Sequence, residues 1–276
     1  MTTNAETNGL GDYLRARRAL VTPAQAGLPS GGTRRVTGLR REELSMLAGI
    51  SADYYLRLER GRDAHPSAQV LDSLARVLLL DEVETSYLHG LVGPGPRRRP
   101  RRPTSERVPA RLSHLLAAID VPAFVEGRSF DVLAANEFAT ALSPRLRVGQ
   151  NRLRSLMLDP EERSFHSDWE AATAGFIGAL RESIGTDISD PRFVELVGEL
   201  SIASGRFREL WARHDVKALE GGTLTINHPV VGELTLHRDK LPVDGVLLVL
   251  YYADAGSESA EKLALLASLS TPGTTG

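Results

Sequence analysis

Apolar residues fall at Leu44, Leu47 and Ala48, a spacing of i, i+3 and i+4 that predicts a short one-sided helix. Gly49 follows where a tight interhelical turn needs a left-handed or close-packed position. Ile50 is an apolar plug, and Ser51 is a good N-cap for a second helix. That helix runs to Arg60 and stops at Gly61. Its Tyr55 and Leu58 face inward, leaving Ala52, Asp53, Arg57 and Arg60 outside. Two one-sided helices joined by three residues have the shape of a helix-turn-helix, whose second helix enters a DNA major groove. The alternative, a hairpin of a helical-repeat array, finds no second copy of the unit in the chain.

The same periods organise the flanks. Leu10–Ala19 reads as a helix, followed by a Gly-, Pro- and Thr-rich stretch from Val21 to Gly38. Arg34-Arg35 in that stretch either touches phosphates or a minor groove, or belongs to a plain exposed loop. Pro66-Ser67 opens a helix with Val70, Leu71, Leu74, Ala75 and Leu78 on its core face, and Asp81–Leu91 supplies a fifth. Gly93–Pro103 interleaves prolines with five arginines, which deny it helix and extend it as a linker. The predicted organisation is a helical domain over 1–92, an Arg/Pro-rich linker over 93–107, a second domain over 108–270 and a disordered tail over 271–276.

The second domain mixes periods. Val108–Ile119 is helical, and strands are expected over Val121–Glu126 and Phe130–Ala135 with Gly127-Arg128 at the turn. Helical segments follow over Asn136–Ala141, Asn151–Leu158, Ser164–Glu182 and Pro191–Arg213. Thr223–Asn227, Val231–Arg238 and Val246–Tyr252 read as strands, and Ala260–Leu269 as a last helix. The order implies an α+β domain with a five-stranded antiparallel sheet and helices over one face.

Charge sharpens this division. The net charge is −2, yet residues 1–107 carry 17 Arg against 12 Asp and Glu, while the remainder carries 16 basic residues against 23 acidic ones. Positive charge thus sits with the helix-turn-helix and the linker, the footprint of phosphate attraction. The 30 Arg against 3 Lys reflect a GC-rich codon bias, which does not explain the segregation of sign. The chain has no Cys, so disulfides, thiolate zinc and a cysteine nucleophile are excluded, in keeping with a reducing cytoplasm. The first nine residues lack the apolar core of a signal peptide, and no apolar run is long enough for a membrane helix.

Several strings carry a family resemblance: Leu14-Arg15-Ala16-Arg17-Arg18, Gly38–Glu43, Leu47–Ser51, and Asp53-Tyr54-Tyr55-x-Arg57-Leu58-Glu59-x-Gly61. With them go Leu210–Val216 and His228–Leu234 farther on. The chain resembles lambda-repressor-like helix-turn-helix regulators of the xenobiotic-response-element (XRE) family that carry an MmyB-like ligand-binding domain. The resemblance implies a PAS-like second domain, a small apolar, fatty-acid-like ligand and an internal ion pair between Arg18 and Glu59. Ala135-Asn136 stands where relatives often have Trp-Asn, which enlarges or reshapes the pocket.

Candidate DNA contacts are Arg41, Ser51, Ala52, Asp53, Tyr54, Arg57 and Arg60. Arg57 suits guanine O6 and N7, and Asp53 either accepts from cytosine N4, orients Arg57 or caps the helix. Arg41, Tyr54 and Arg60 are placed for phosphate, and the Ser51 hydroxyl also can reach it. Phe124, Trp169, Phe176, Trp211 and Tyr251 are candidate pocket walls with Asn136, Arg213 and His214 as polar anchors, although packing a core would use the same residues. No nucleophile elbow, Walker loop, zinc-protease motif or dinucleotide fingerprint occurs, and the seven His are scattered. The expectation is a cytoplasmic, nucleoid-associated, non-enzymatic transcription regulator. It would be homodimeric on a double-stranded operator, with no cofactor, catalytic residue, metal site or membrane partner. The rival is a constitutive DNA-binding protein whose second domain only mediates dimer or protein contacts.

Overall fold

The computed structural model describes residues 9–29, 34–63, 65–92, 106–185, 190–218 and 221–270. Most of the proposed linker and the tail from 271 lie outside them. Two compact units emerge: one takes residues 9–92 together with Glu209–Ala218, and the other takes 106–184, 190–208 and 221–270.

The first unit is helical. Its elements are α1 (Gly9–Leu20), α2 (Arg41–Ala48), α3 (Ala52–Glu59), α4 (Ala68–Val77) and α5 (Glu82–Gly90). Side chains start these helices as the sequence suggests: Ser51, Ser67 and Asp81 each accept a backbone N–H from the first turn. Glu84 completes a capping box by accepting from the Asp81 N–H at 3.2 Å. Gly49 closes α2 at φ 70°, the left-handed position the turn requires. Tyr13, Leu14, Leu39, Leu44, Tyr55, Leu58, Leu74 and Leu78 form a fully buried core. The two core tyrosines satisfy their hydroxyls on backbone carbonyls, Tyr55 on Leu14 at 3.3 Å and Tyr13 on Glu84 at 3.4 Å.

The second unit is built on an antiparallel sheet of order β2-β1-β5-β4-β3, with β1 (Ala123–Glu126), β2 (Val132–Ala135), β3 (Gly222–His228), β4 (Gly232–Val243) and β5 (Val246–Tyr252). Asp244 and Gly245, both at positive φ, make the tight turn between β4 and β5. Its helices are α6 (Ala110–Ala118), α7 (Glu137–Leu142), α8 (Arg152–Leu158), α9 (Pro160–Phe165), α10 (Trp169–Ile184), α11 (Pro191–Ala203), the first half of α12 (Gly205–Ala212) and α13 (Glu258–Ser270).

Three expectations need correction. Helices were expected on one face of the sheet, but both faces are covered. Phe124, Val249 and Tyr251 pack on the side of α7 and α13, whereas Ala123, Val125 and Leu248 pack against Leu112 and Leu116 of α6. Every residue of β1 is accordingly buried. The single helix expected over Ser164–Glu182 is two. His166 bridges to Ile226, Ser167 bonds Thr225 through both its N–H and its hydroxyl, and Asp168 caps the restart. The helix expected over Pro191–Arg213 breaks at Ser204, whose hydroxyl accepts from the Phe207 N–H at 3.1 Å.

Candidate nucleic-acid interface and cavity site

On α3 the inward residues Tyr55, Leu58 and Glu59 are buried, and Ala52, Asp53, Arg57 and Arg60 are exposed. Ser51 receives the Tyr54 N–H at 3.1 Å, so its hydroxyl is engaged as a cap. Arg57 pairs with Asp53 one turn back and lies 5.4 Å over the Tyr54 ring. The three side chains therefore form one patch, and Asp53 orients Arg57, one of the alternatives the sequence left open.

Behind this patch lies a buried carboxylate. Glu59 is 1% exposed and receives Arg18 Nε at 2.8 Å and Arg41 Nε at 2.7 Å. Arg18 also donates to the Leu39 carbonyl, and Arg15 to that of Glu59. Burial alone would favour the protonated acid, but the hydrogen bonds from Arg41 and Arg18 outweigh it and hold Glu59 below the ordinary carboxylate range. The Arg18–Glu59 pair is thus present, and Arg41 shares it while remaining exposed at the start of α2.

Arg34 departs from the phosphate or groove role considered for it. It grips both Glu43 oxygens, at 2.8 and 2.7 Å, and the Gly38 carbonyl at 3.2 Å. That bidentate bond lowers the Glu43 carboxyl to about 2. Arg35 stays exposed.

In the second unit a cavity of about 40 Å³ lies between the sheet and helices α7 to α10, with Leu142, Phe165, Phe176, Ile226 and Tyr251 among its walls. Arg152 forms its polar end. Its guanidinium sits 5.0 Å from the Phe124 ring and 4.8 Å from that of Phe176, donates to Glu126 at 2.7 Å and to the Tyr251 hydroxyl at 3.0 Å. Lys240 also approaches Glu126, at 3.5 Å. Burial pulls Lys240 down to about 8 despite Glu126, while Glu126 is kept ionised against its own burial by Arg152 and Lys240. Two cations thus share one buried carboxylate beside the cavity, whose wall also carries Glu162. A second, larger cavity of about 200 Å³ is lined by Asp120, Pro122, Phe138, Tyr252, Leu263 and Leu266, and Leu142 borders both.

Residues 108–266 match the model of the MmyB-like transcription regulator ligand binding domain. The chain belongs to the MmyB-like transcription regulators. Residues 9–88 match a helix-turn-helix domain, the region of α1 to α5. No curated protein matches the chain.

The candidate pocket residues divide. Phe176 and Tyr251 line the smaller cavity, and Phe124 lies beneath it against Arg152. Trp169 instead bonds the Leu156 carbonyl through its indole N–H at 2.9 Å and carries Arg163 on its face. Asn136 is no free anchor. Its carboxamide oxygen takes the N–H groups of Ala123 and Ala139, and its nitrogen donates to the carbonyls of Val121 and Ile119. Trp211, Arg213 and His214 fall within the matched ligand-binding span but pack with the first unit. Arg152, Glu126 and Lys240, and Arg145 and His166 in the cavity wall, were not among the expected ligand contacts. Glu126 ends an otherwise apolar strand, which was the one local sign of a paired buried charge.

Among the described residues no three His, Asp or Glu side chains cluster as metal ligands would, and no helix is long and apolar enough to cross a membrane.

Proposed function

We propose that this regulator reads a specific operator through α3 as a homodimer of the lambda-repressor-like, XRE type, acting in the cytoplasm without enzymatic turnover. Its PAS-like second unit would sense a small apolar, fatty-acid-like molecule. The observation that carries the DNA half is the Asp53–Tyr54–Arg57 patch, exposed on a helix whose other face is anchored by Glu59. An arginine held in one orientation loses little further entropy when it meets a guanine edge. In selection from a random duplex pool, Arg57→Ala is expected to relax preference at one base position per half-site. The cost is about 1–3 kcal/mol of discrimination there. An equal loss of affinity for all sequences would make Arg57 a phosphate contact and overturn the assignment.

The small cavity supports a second reading. At about 40 Å³ it is far smaller than typical ligand pockets, which hold roughly 300–1,000 Å³. A constitutive regulator whose second unit serves only protein contacts would need no more. In the sensing reading, a displaced Leu142, which lines both cavities, would give a guest more room.

A further inference from the structure

Residues Glu209–Ala218 lie within the sequence span of the ligand-binding domain, yet they pack as part of the helix-turn-helix unit. Val216 is 2% exposed in the same core as Tyr13, Leu14 and Tyr55. Asp215 receives Arg17 Nη1 at 2.8 Å, and Arg17 Nη2 meets Glu84 of α5 at 2.7 Å. Arg213 pairs with Asp215 at 3.0 Å, and the His214 ring stands edge-on to Tyr13 at 6.5 Å. One buried apolar anchor and one doubly paired guanidinium thus fasten this segment to α1 and α5.

The face of α1 that takes the segment is continuous with the face that seats α3. Tyr13 and Arg17 hold the segment, and their neighbours Leu14 and Arg18 bond Tyr55 and Glu59 on α3. The segment begins with the last turn of α12. We propose that residues 209–218 are a releasable clasp on the α1–α5 surface. Its occupancy sets how firmly α3 is held for DNA, and with it operator affinity. The DNA half of this rests on the DNA-binding reading above.

The test uses the full chain and two mild variants, Asp215→Asn and Val216→Ser. Hydrogen exchange should show the amides of α1 and α5 protected in the wild type. In Asp215→Asn, peptides of α1 and α5 should exchange about tenfold faster, as expected for a lost charged hydrogen bond, and loss of the apolar anchor in Val216→Ser should speed the same peptides, with β4 and β5 unchanged in both. Affinity for a selected duplex should fall in parallel. Arg17→Gln combined with Asp215→Asn should be clearly less than additive, which keeps the test decisive if Val216→Ser fails to fold. Unchanged exchange in α1 and α5, or faster exchange in the sheet instead, overturns the clasp. Faster exchange with unaltered DNA affinity overturns its regulatory role. A wild-type chain that binds no duplex defeats the DNA-binding reading, and the exchange data then judge the clasp alone.

Discussion

Glu43 and Glu59 show how pairing, not residue type, decides what a charge does. Glu43 is held at about 2 by Arg34, and Glu59 is held low by Arg41 and Arg18 against its burial. A carboxylate whose folded pKa is depressed stabilises the fold fully above its unfolded value. Its contribution then fades as pH falls through the folded one. Both groups therefore favour the folded helix-turn-helix unit above the ordinary carboxylate range and lose that contribution as pH falls, Glu43 through about 2 and Glu59 through its own depressed value. Arg34→Gln should return the Glu43 carboxyl toward its ordinary range, read by carbon NMR titration, and move the acid transition upward. An unaltered Glu43 titration would show that Arg34 does not hold it. At this scale the sequence made the outward residues of α3 legible through period alone. That Arg34 turns inward was not legible, because its partner is chosen by the path of the loop that carries it.

Elements were most readable where caps and period agree. Gly49, Ser51 and Gly61 bound α2 and α3 within a residue of the expected ends. The two overlong helices were misread because apolar period continues through their breaks, although Asp168 and Ser204-Gly205 carried helix-start signals. Gly38 reveals a constraint no period encodes. A Cβ there would stand 2.5 Å from the Ala19 carbonyl oxygen and 2.6 Å from that of Arg18, beside the Leu39 N–H bond to Arg18. Backbone must shift to admit it, so Gly38→Ala should cost about 1–3 kcal/mol in a urea melt of the full chain. A neutral result would mean that the α1–α2 connection yields freely.

Across the whole chain, charge is segregated: residues 1–107, which hold the matched helix-turn-helix, are net basic and the remainder is net acidic. The cavities bear on what the acidic part does. If an alkyl carboxylate such as decanoate is accommodated by moving Leu142, then Leu142→Ala should join the two cavities. The variant should melt lower, by roughly 2–5 kcal/mol in stability. Decanoate should then raise its melting temperature more than that of the wild type. No shift in either protein would favour a second unit without a ligand role.

The sequence by itself determined the helix-turn-helix, its caps, the strands and the segregation of charge, since each depends on neighbours within a turn or a pleat. Tertiary structure alone decided which charges are neutralised and where residues 209–218 belong. The Arg17–Asp215 pair spans 198 residues, and Arg152 meets Tyr251 across 99. Burial and ion pairing at such separations depend on which surfaces the fold brings together, and local pattern carries no record of that choice.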